Sequence, residues 1–291
     1  MKRIFFALII ISLHYNLFAQ TYVKDSETLK AVEFAAILNQ TTKTGTYSDQ
    51  NGRFNLQAKA NDTLIISCVG YFTDTLVYSD NIDREILLKP QIYEISEATC
   101  NINVKSKKRE LGYRKEKIRT NFHSHAGSEW VTYIANNNPK QPKLIKSIVL
   151  KTSSKQKNKI AYRLHIYEKD SLTGLPGKDI ANIPLIKSNE HKGNKYNLDK
   201  DIIFPNSGVF VGIEWVAHLN TCDEDNEIQK GIPLSVPLTF PKEKSYTYYK
   251  SKFFDNKWFL VNPEHVLCQL LCEEYPPSLA ISIIVKEFYN Q

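Results

Sequence analysis

Long apolar runs are missing from the sequence after its first twenty residues. A helix that crosses a bilayer needs about 18 or more consecutive apolar residues, and no later stretch approaches that length. The chain beyond residue 20 is therefore expected to be soluble or peripherally attached to a membrane. Methionine is almost absent as well, since Met1 is the single one. A chain that has lost its first segment would have no thioether to oxidise.

The sequence also lacks the short motifs that carry the commonest catalytic chemistries. It contains no His-Glu-x-x-His zinc motif, no Gly-x-Ser-x-Gly nucleophile elbow, no phosphate-binding glycine loop and no dinucleotide fingerprint. No cofactor and no catalytic residue are predicted. The paired carboxylates of glycoside hydrolases meet only in three dimensions. A glycan or peptide hydrolase with its site between two domains therefore stays open as the alternative.

The first nineteen residues have the pattern of a secretory signal peptide. Lys2 and Arg3 form a positive start, and the apolar run Ile4–Leu13 is too short to span a bilayer. Leu17 and Ala19 occupy the −3 and −1 positions of a small-residue cleavage site, so the mature chain is predicted to begin at residue 20. We expect an exported protein in the periplasm, at the periphery of the outer membrane, or secreted. The competing interpretation is a buried N-terminal helix.

Positive charge is concentrated in one segment, although the whole chain carries a formal net charge of +7. Residues 20–97 hold seven Lys and Arg against eleven Asp and Glu, whereas residues 105–119 hold eight against two. Residues 98–142 are interpreted as a basic and polar connector, with contact to anionic lipid or polysaccharide as a weaker alternative. No nucleic-acid partner is predicted, because no recognisable nucleic-acid module accompanies the charge.

Residues 20–97 show short runs of β-branched and aromatic residues separated by turn signals, which is typical of an antiparallel sandwich. The stretch TGTYSDQNGRFNL, from Thr44, predicts two strands joined by a turn at Asn51-Gly52. An EF-hand-type calcium loop starting at Asp49 would need a carboxylate at its twelfth position, and that position is Ala60. The stretch is therefore interpreted as a structural hairpin.

These runs resemble the carboxypeptidase-regulatory-like domain. The matching positions are Thr46, Asp49, Gly52 and Phe54, then Val69–Tyr71, then Leu87–Lys89. The resemblance implies a seven-stranded Greek-key, prealbumin-like (transthyretin-like) sandwich that is common in exported proteins of Gram-negative bacteria. It also implies an accessory domain without catalytic residues. Zinc carboxypeptidases need a His-x-x-Glu pair, and His125 and Glu129 are one position too far apart for it.

Strand patterns resume in residues 143–291, which predicts a second, jelly-roll-like β-sandwich and an all-β protein. In the run IAYRLHIY the apolar side chains Ile160, Tyr162, Leu164 and Ile166 share one face, while Arg163 and His165 point the other way. Together with a later strand ending in Glu-Trp, this region resembles an uncharacterised C-terminal domain of some envelope proteins.

The five cysteines leave at least one thiol unpaired or paired between chains. Cys68 lies in an apolar run and is interpreted as a small buried hydrophobe. A disulfide is predicted between Cys222 and either Cys268 or Cys272. The alternative is a zinc site with its ligands drawn from His218, Cys222, His265, Cys268 and Cys272. The acidic segment CDEDNE, at residues 222–227, is a weaker calcium candidate.

Seven aromatic rings are packed into the segment Tyr246–Phe259. Exposed rings on a sandwich can stack on sugars or anchor a protein partner, although alternate positions also fill cores. The candidate ligand surface is Tyr246, Tyr248, Tyr249 and Trp258, with the loop Leu172–Gly177 beside it. We therefore expect a non-catalytic, envelope-associated binding or structural protein whose second domain recognises a protein or a glycan.

Overall fold

A computed structural model describes residues 21–79, 85–91, 105–152, 160–181, 183–188, 194–218, 235–241, 245–262 and 276–289. Over these residues the protein is all-β, which confirms the predicted fold class: there are 21 strands and no helix. In the same part of the chain nothing has the helical length and hydrophobicity needed to cross a bilayer. The predicted signal peptide, residues 1–19, lies outside the described residues.

The first body is a sandwich of seven strands in two sheets. Its strands are β1 (Thr21–Asp25), β2 (Ala36–Asn39), β3 (Thr44–Tyr47), β4 (Arg53–Phe54), β5 (Thr63–Ser67), β6 (Asp74–Val77) and β7 (Glu85–Leu88). One sheet has the order β4-β1-β7 and the other β3-β2-β5-β6. The pairing is antiparallel except between β1 and β7, which are parallel. The prediction of a purely antiparallel body is wrong at that pair, where the last strand returns beside the first.

The turn that connects β3 to β4 is held by Asp49. Its Oδ1 accepts hydrogen bonds from the backbone N–H groups of Asn51 and Arg53, at 2.7 and 2.8 Å. Its Oδ2 lies 3.0 Å from Nε of Arg53. Gly52 has a positive φ of 75°, and a Cβ there would lie 2.4 Å from the carbonyl oxygen of Val23. Both oxygens of Asp49 thus fix the turn, as the structural interpretation predicts. The predicted hairpin is wrong, because β3 and β4 belong to different sheets of the sandwich.

The second body contains fourteen strands among the described residues. They are β8 (Lys105–Gly112), β9 (Ile118–Phe122), β10 (Ser128–Ile134), β11 (Lys143–Leu150), β12 (Ile160–Lys169), β13 (Pro176–Asp179), β14 (Ile186–Ser188), β15 (Asn194–Ile203), β16 (Val209–His218), β17 (Val236–Thr239), β18 (Thr247–Ser251), β19 (Phe259–Leu260), β20 (Ser278–Leu279) and β21 (Ile281–Tyr289). A seven-stranded sheet has the order β13-β12-β16-β10-β18-β19, with β14 also paired to β12. A four-stranded sheet, β15-β11-β21-β8, and a three-stranded sheet, β20-β17-β9, complete the body.

The predicted connector, residues 98–142, is wrong from residue 105 onward. Strand β8 pairs along its whole length with β21, β9 pairs with β17, and β10 lies inside the seven-stranded sheet. The second body therefore begins well before residue 143. Strand β8 lies at the edge of its sheet. Edge strands often carry exposed lysines, which discourage pairing with other chains. The composition of β8 therefore resembles that of a solvated linker, and the prediction was wrong for this reason.

The alternation predicted for the central strands is confirmed. Tyr162, Leu164 and Ile166 of β12 are buried in the main core of the second body, as are Val211 and Ile213 of β16. The same core takes in side chains of the facing four-stranded sheet. The intervening residues of β12 and β16 therefore lie on the outward face of the seven-stranded sheet, on the side of the first body.

The two bodies meet through an apolar contact on that outward face. Phe34 and Tyr47 of the first body belong to one buried cluster with Val216 of the second, and Phe253 packs against it. The rings of Tyr47 and Phe253 contact edge to face, with centroids 5.0 Å apart. Gly45 allows this approach, because a Cβ there would lie 2.2 Å from Cδ1 of Phe253.

Candidate functional site

Five neighbouring strands of the seven-stranded sheet, β13, β12, β16, β10 and β18, place charged groups on the outward face. Glu129 of β10 lies opposite both Glu214 of β16 and Lys250 of β18, and Arg163 of β12 lies opposite Glu214. We call the set the charge network: Glu129, Arg163, His165, Asp179, Glu214, Lys250 and Lys252. Strand register alone thus brings together residues that are up to 123 positions apart in the sequence.

Glu214 is the centre of the charge network, and it is almost fully buried. Its Oε1 accepts hydrogen bonds from the Tyr47 hydroxyl at 2.7 Å and the Lys252 ammonium at 2.9 Å. Arg163 Nη1 lies 3.5 Å from the same oxygen. Burial opposes ionisation of the carboxyl, but Lys252, Arg163 and His165 outweigh it and hold the pKa of Glu214 well below its usual range. Glu214 is therefore an ionised structural carboxylate.

His165 links two carboxylates. Its Nδ1 lies 2.7 Å from Asp179 Oδ2, and its Nε2 lies 3.0 Å from Glu214 Oε2. Both ring nitrogens must carry hydrogen to satisfy these two acceptors, which describes an imidazolium. Burial lowers the pKa of His165, but the charge of Glu129 and the bonds to Asp179 and Glu214 raise it to about 10.

Glu129 is only partly compensated, although it is 2% exposed. Lys250 Nζ lies 3.1 Å from its Oε2. Its Oε1 is buried and has no hydrogen-bond partner within the part of the chain that the structure describes. Buried carboxylate oxygens are rarely left in that condition, so this atom marks a place where an additional donor or cation is expected.

A cleft of about 290 Å³ lies between the two bodies, and Glu129 is one of the residues that line it. The first body contributes Ser67, Cys68, Val69, Tyr71, Thr73 and Gln91, and the second Glu129, His165, Tyr167, Asp179, Lys250, Lys252 and Asn256. Burial raises the pKa of Tyr167 well above its usual value, and the nearby carboxylates of Glu129 and Asp179 add to the effect. A hydrogen bond to the Glu129 carboxylate raises this pKa further, so the phenol stays protonated and donates to that carboxylate.

Cys68 lies in the wall of the cleft and is a free thiol. It is half-buried and packs against the first core, so the prediction of a small buried hydrophobe is confirmed for its packing, while part of the side chain stays exposed. Its sulfur lies 3.9 Å from Arg163 Nη2. Burial raises the pKa of the thiol, and the charge of Arg163 only partly offsets that rise.

An aromatic surface continues from the cleft along the same face of the sheet. Tyr133, Tyr248 and Trp258 are half-buried and pack over Val131, Tyr167 and Phe210; we call these three rings the ledge. The Lys250 ammonium lies 4.2 Å from the centroid of Trp258 and 5.3 Å from that of Tyr167. This cation–π contact joins the ledge to the charge network.

Comparisons with known proteins give a family for the first body. Residues 21–100 match the CarboxypepD_reg-like domain. The first body is a CarboxypepD_reg-like domain. No curated protein matches the sequence significantly. A match to one solved structure, "Structure of infectious bursal disease virus Gx strain", covers 94% of this chain at 10% identity with a TM-score of 0.24. The alignment spans 61% of that chain, and so low a score carries no argument about fold or function.

The structure separates the four predicted ligand-surface residues. Tyr248 and Trp258 lie on the ledge, and Tyr246 lies at its margin beside Tyr133, with centroids 6.4 Å apart. Tyr249 points into the core of the second body, where it stacks on Trp130 with centroids 5.7 Å apart. The prediction is wrong for Tyr249, because neighbouring residues of a strand face opposite sides of the sheet.

The predicted cysteine and histidine sites stay predictions. Cys222, His265, Cys268 and Cys272 lie outside the described residues, as does the acidic segment 222–227. His218 ends β16, but its side chain lies outside them as well. Neither the disulfide nor the zinc alternative can therefore be compared with the structure.

The charge network itself was missed as a site by sequence reasoning. Arg163 and His165 were placed on the outward face, but nothing linked them to Glu129 or Glu214. A signal is present, because Glu-Trp-Val occurs twice, at residues 129–131 and 214–216, inside otherwise apolar strands. A glutamate in such a strand is rarely buried without partners, and each copy marks one member of the network.

Replacing Tyr47 with Phe tests whether Glu214 joins the CarboxypepD_reg-like domain to the second body. The variant removes the hydroxyl that donates to the buried carboxylate, and hydrogen bonds to charged groups are worth about 1.5–3 kcal/mol. We expect Tyr47→Phe to lower the free energy of unfolding by about that amount in urea denaturation. Tyr78→Phe is the matched control, since within the described residues the Tyr78 hydroxyl has no hydrogen bond. Equal losses in the two variants would contradict the assignment.

Proposed function

We propose that this protein is an exported, non-catalytic binding module that recognises a glycan through the ledge and the adjoining cleft. The observation that carries the proposal is the continuity of these two surfaces: three outward-facing rings lead directly into a polar cleft. Tyr167 lines the cleft and also supports the ledge. The CarboxypepD_reg-like domain closes the other side of the cleft and acts as an accessory scaffold.

The chemistry of the two surfaces suits a sugar chain. Sugar rings have apolar C–H faces that stack on aromatic rings, while their hydroxyls seek hydrogen-bond donors and acceptors. The cleft supplies both, from Lys250, Asp179 and Asn256 among others. Its volume of about 290 Å³ is at the lower end of the range for ligand pockets, about 300–1,000 Å³. The cleft therefore suits one sugar unit, with the neighbouring units of the chain on the ledge.

A protein partner is supported less well by the same surfaces. A stable protein interface buries about 800 Å² on each partner around well-exposed anchor residues. The three rings of the ledge are half-buried, so they are not the well-exposed anchors that a stable protein interface needs.

The ionisation state of the Glu214 carboxyl group favours a binding function over hydrolysis. A glycosidase needs one protonated carboxylic acid and a second carboxylate free to attack or to activate water. Glu214 is ionised, and both of its oxygens accept bonds from buried partners. Through the bond from Tyr47, its Oε1 holds the two bodies together. A hydrolase would need a protonated carboxylic acid at this site, and the ionised Glu214 cannot supply it.

Export rests on residues 1–19, whose sequence has the charged start, apolar run and small-residue cleavage site of a signal peptide. We expect N-terminal sequencing of the protein recovered from the envelope or medium of a Gram-negative host to begin at Gln20. Protein retained in the cytoplasm with Met1 intact would contradict export.

Glycan recognition is tested by truncating the ledge. We expect Trp258→Ala and Tyr248→Ala each to weaken binding to a glycan identified on a polysaccharide array by about 10-fold, because one aromatic contact contributes up to about 1.5 kcal/mol. Affinity electrophoresis of the mature protein measures the change. Phe72→Ala is the control, since Phe72 is an exposed ring on the first body.

Three results would count against the proposal. The first is unchanged binding by both ledge variants. The second is capture of a protein from envelope extract whose binding depends on the ledge, with no glycan retained. The third is release of reducing sugar from the bound polysaccharide by the mature protein, which would favour the hydrolase alternative.

A further inference from the structure

Three potential metal ligands converge at the inner end of the cleft. Glu129, His165 and Glu214 come from the adjacent strands β10, β12 and β16, and each offers one ligand atom within 4.8 Å of the other two. All three side chains are buried. Ligands on neighbouring strands of one sheet are held by backbone register, which makes such a group more rigid than one built on loops.

The unpartnered oxygen of Glu129 points independently to a ligand. Oε1 is buried and accepts no hydrogen bond from the described residues, while Lys250 is bound to the other oxygen, Oε2. The protein has therefore placed a cation beside one oxygen and left the second without a hydrogen bond. A buried carboxylate oxygen is rarely left without a partner, so this atom is a candidate ligand for a cation.

The distance between His165 and Glu214 fits coordination to one ion. Metal–nitrogen and metal–oxygen bonds are about 2.1 Å long, and two such bonds at a right angle separate their ligand atoms by about 3.0 Å. Nε2 of His165 and Oε2 of Glu214 are 3.0 Å apart. The ligand atom of Glu129 lies within 4.8 Å of these two atoms, so a small rotation of its carboxylate group would bring it to the same ion.

The surroundings of these three residues match the outer shell of a metal site. A metal-bound histidine commonly donates its other ring N–H to a carboxylate, and His165 Nδ1 lies 2.7 Å from Asp179 Oδ2. Lys252 and Tyr47 donate to Oε1 of Glu214 and leave Oε2 facing His165. An ion in this position would take the place of the proton that His165 now shares with Glu214.

We propose that Glu129, His165 and Glu214 bind a divalent transition-metal ion at the inner end of the cleft. Two carboxylates and one imidazole suit Mn²⁺, Fe²⁺ or Zn²⁺. Because Glu129 and His165 both line the cleft, the remaining coordination positions face its open side and are available to oxygen atoms of a bound molecule. The proposal is independent of glycan recognition and concerns the ion alone.

The test is a titration of the full mature protein with Mn²⁺, in which loss of the free-ion signal in electron paramagnetic resonance reports binding. Mn²⁺ prefers oxygen and nitrogen to thiolate ligands, so the cysteines beyond residue 221 do not compete, and the variants below distinguish this site from the acidic segment 222–227. We expect one ion per chain, and binding about 100-fold weaker in Glu129→Gln and in His165→Gln. Glu168→Gln is the matched control, because Glu168 is an exposed residue of the same strand β12.

Two outcomes would overturn the proposal. One is that neither Mn²⁺ nor Zn²⁺ binds to the wild-type protein, and the other is that Glu129→Gln binds as tightly as wild type. If the variants fail to fold, Mn²⁺-soaked crystals of the wild type provide the answer. An anomalous difference peak between the three side chains supports the site, and a peak found only elsewhere excludes it.

Discussion

The arrangement of this molecule depends on the compensation of one buried carboxylate. Glu214 lies where the two bodies meet, and an isolated ionised carboxylate in such a place would be strongly destabilising. Its donors come from both bodies, since Tyr47 belongs to the first and Lys252 and Arg163 to the second. Arg163 also donates to the carbonyl oxygen of Phe34 at 2.8 Å. The bond from Tyr47 to Glu214 and the bond from Arg163 to Phe34 therefore hold the two bodies in contact, and the cleft lies between them.

The cleft and the ledge follow from the same sheet. One face of the seven-stranded sheet supplies the core of the second body, so every second residue of its strands is directed toward the first body or toward solvent. Near Val216 and Phe253 that outward face is covered by the first body. Farther along it stays open and carries the rings of Tyr248 and Trp258. Lys250 lies between these regions and contacts both Glu129 and Trp258.

Much of this could be predicted from the sequence because it depends on local patterns. Period-two alternation placed Arg163 and His165 on the outward face, and turn signals with the strand runs led to the first body. The convergence of Glu129 with Glu214 could not be predicted. The two residues are 85 positions apart in the sequence, and only the order of the strands in the sheet brings them together. Strand β8 was missed because its lysines, which belong to a sheet edge, resemble those of a linker. Tyr249 was misassigned because successive side chains of a strand lie on opposite faces of the sheet, so an error of one position assigns a residue to the wrong face.

A double-mutant cycle measures the central interaction most directly. It combines Tyr47→Phe with Glu214→Gln and compares the free energies of unfolding of the single and double variants in urea. Direct pairing across the two bodies predicts a coupling energy of about 1.5–3 kcal/mol. Additivity of the two substitutions within about 0.5 kcal/mol would contradict the account, because it would mean that Glu214 does not link the two bodies.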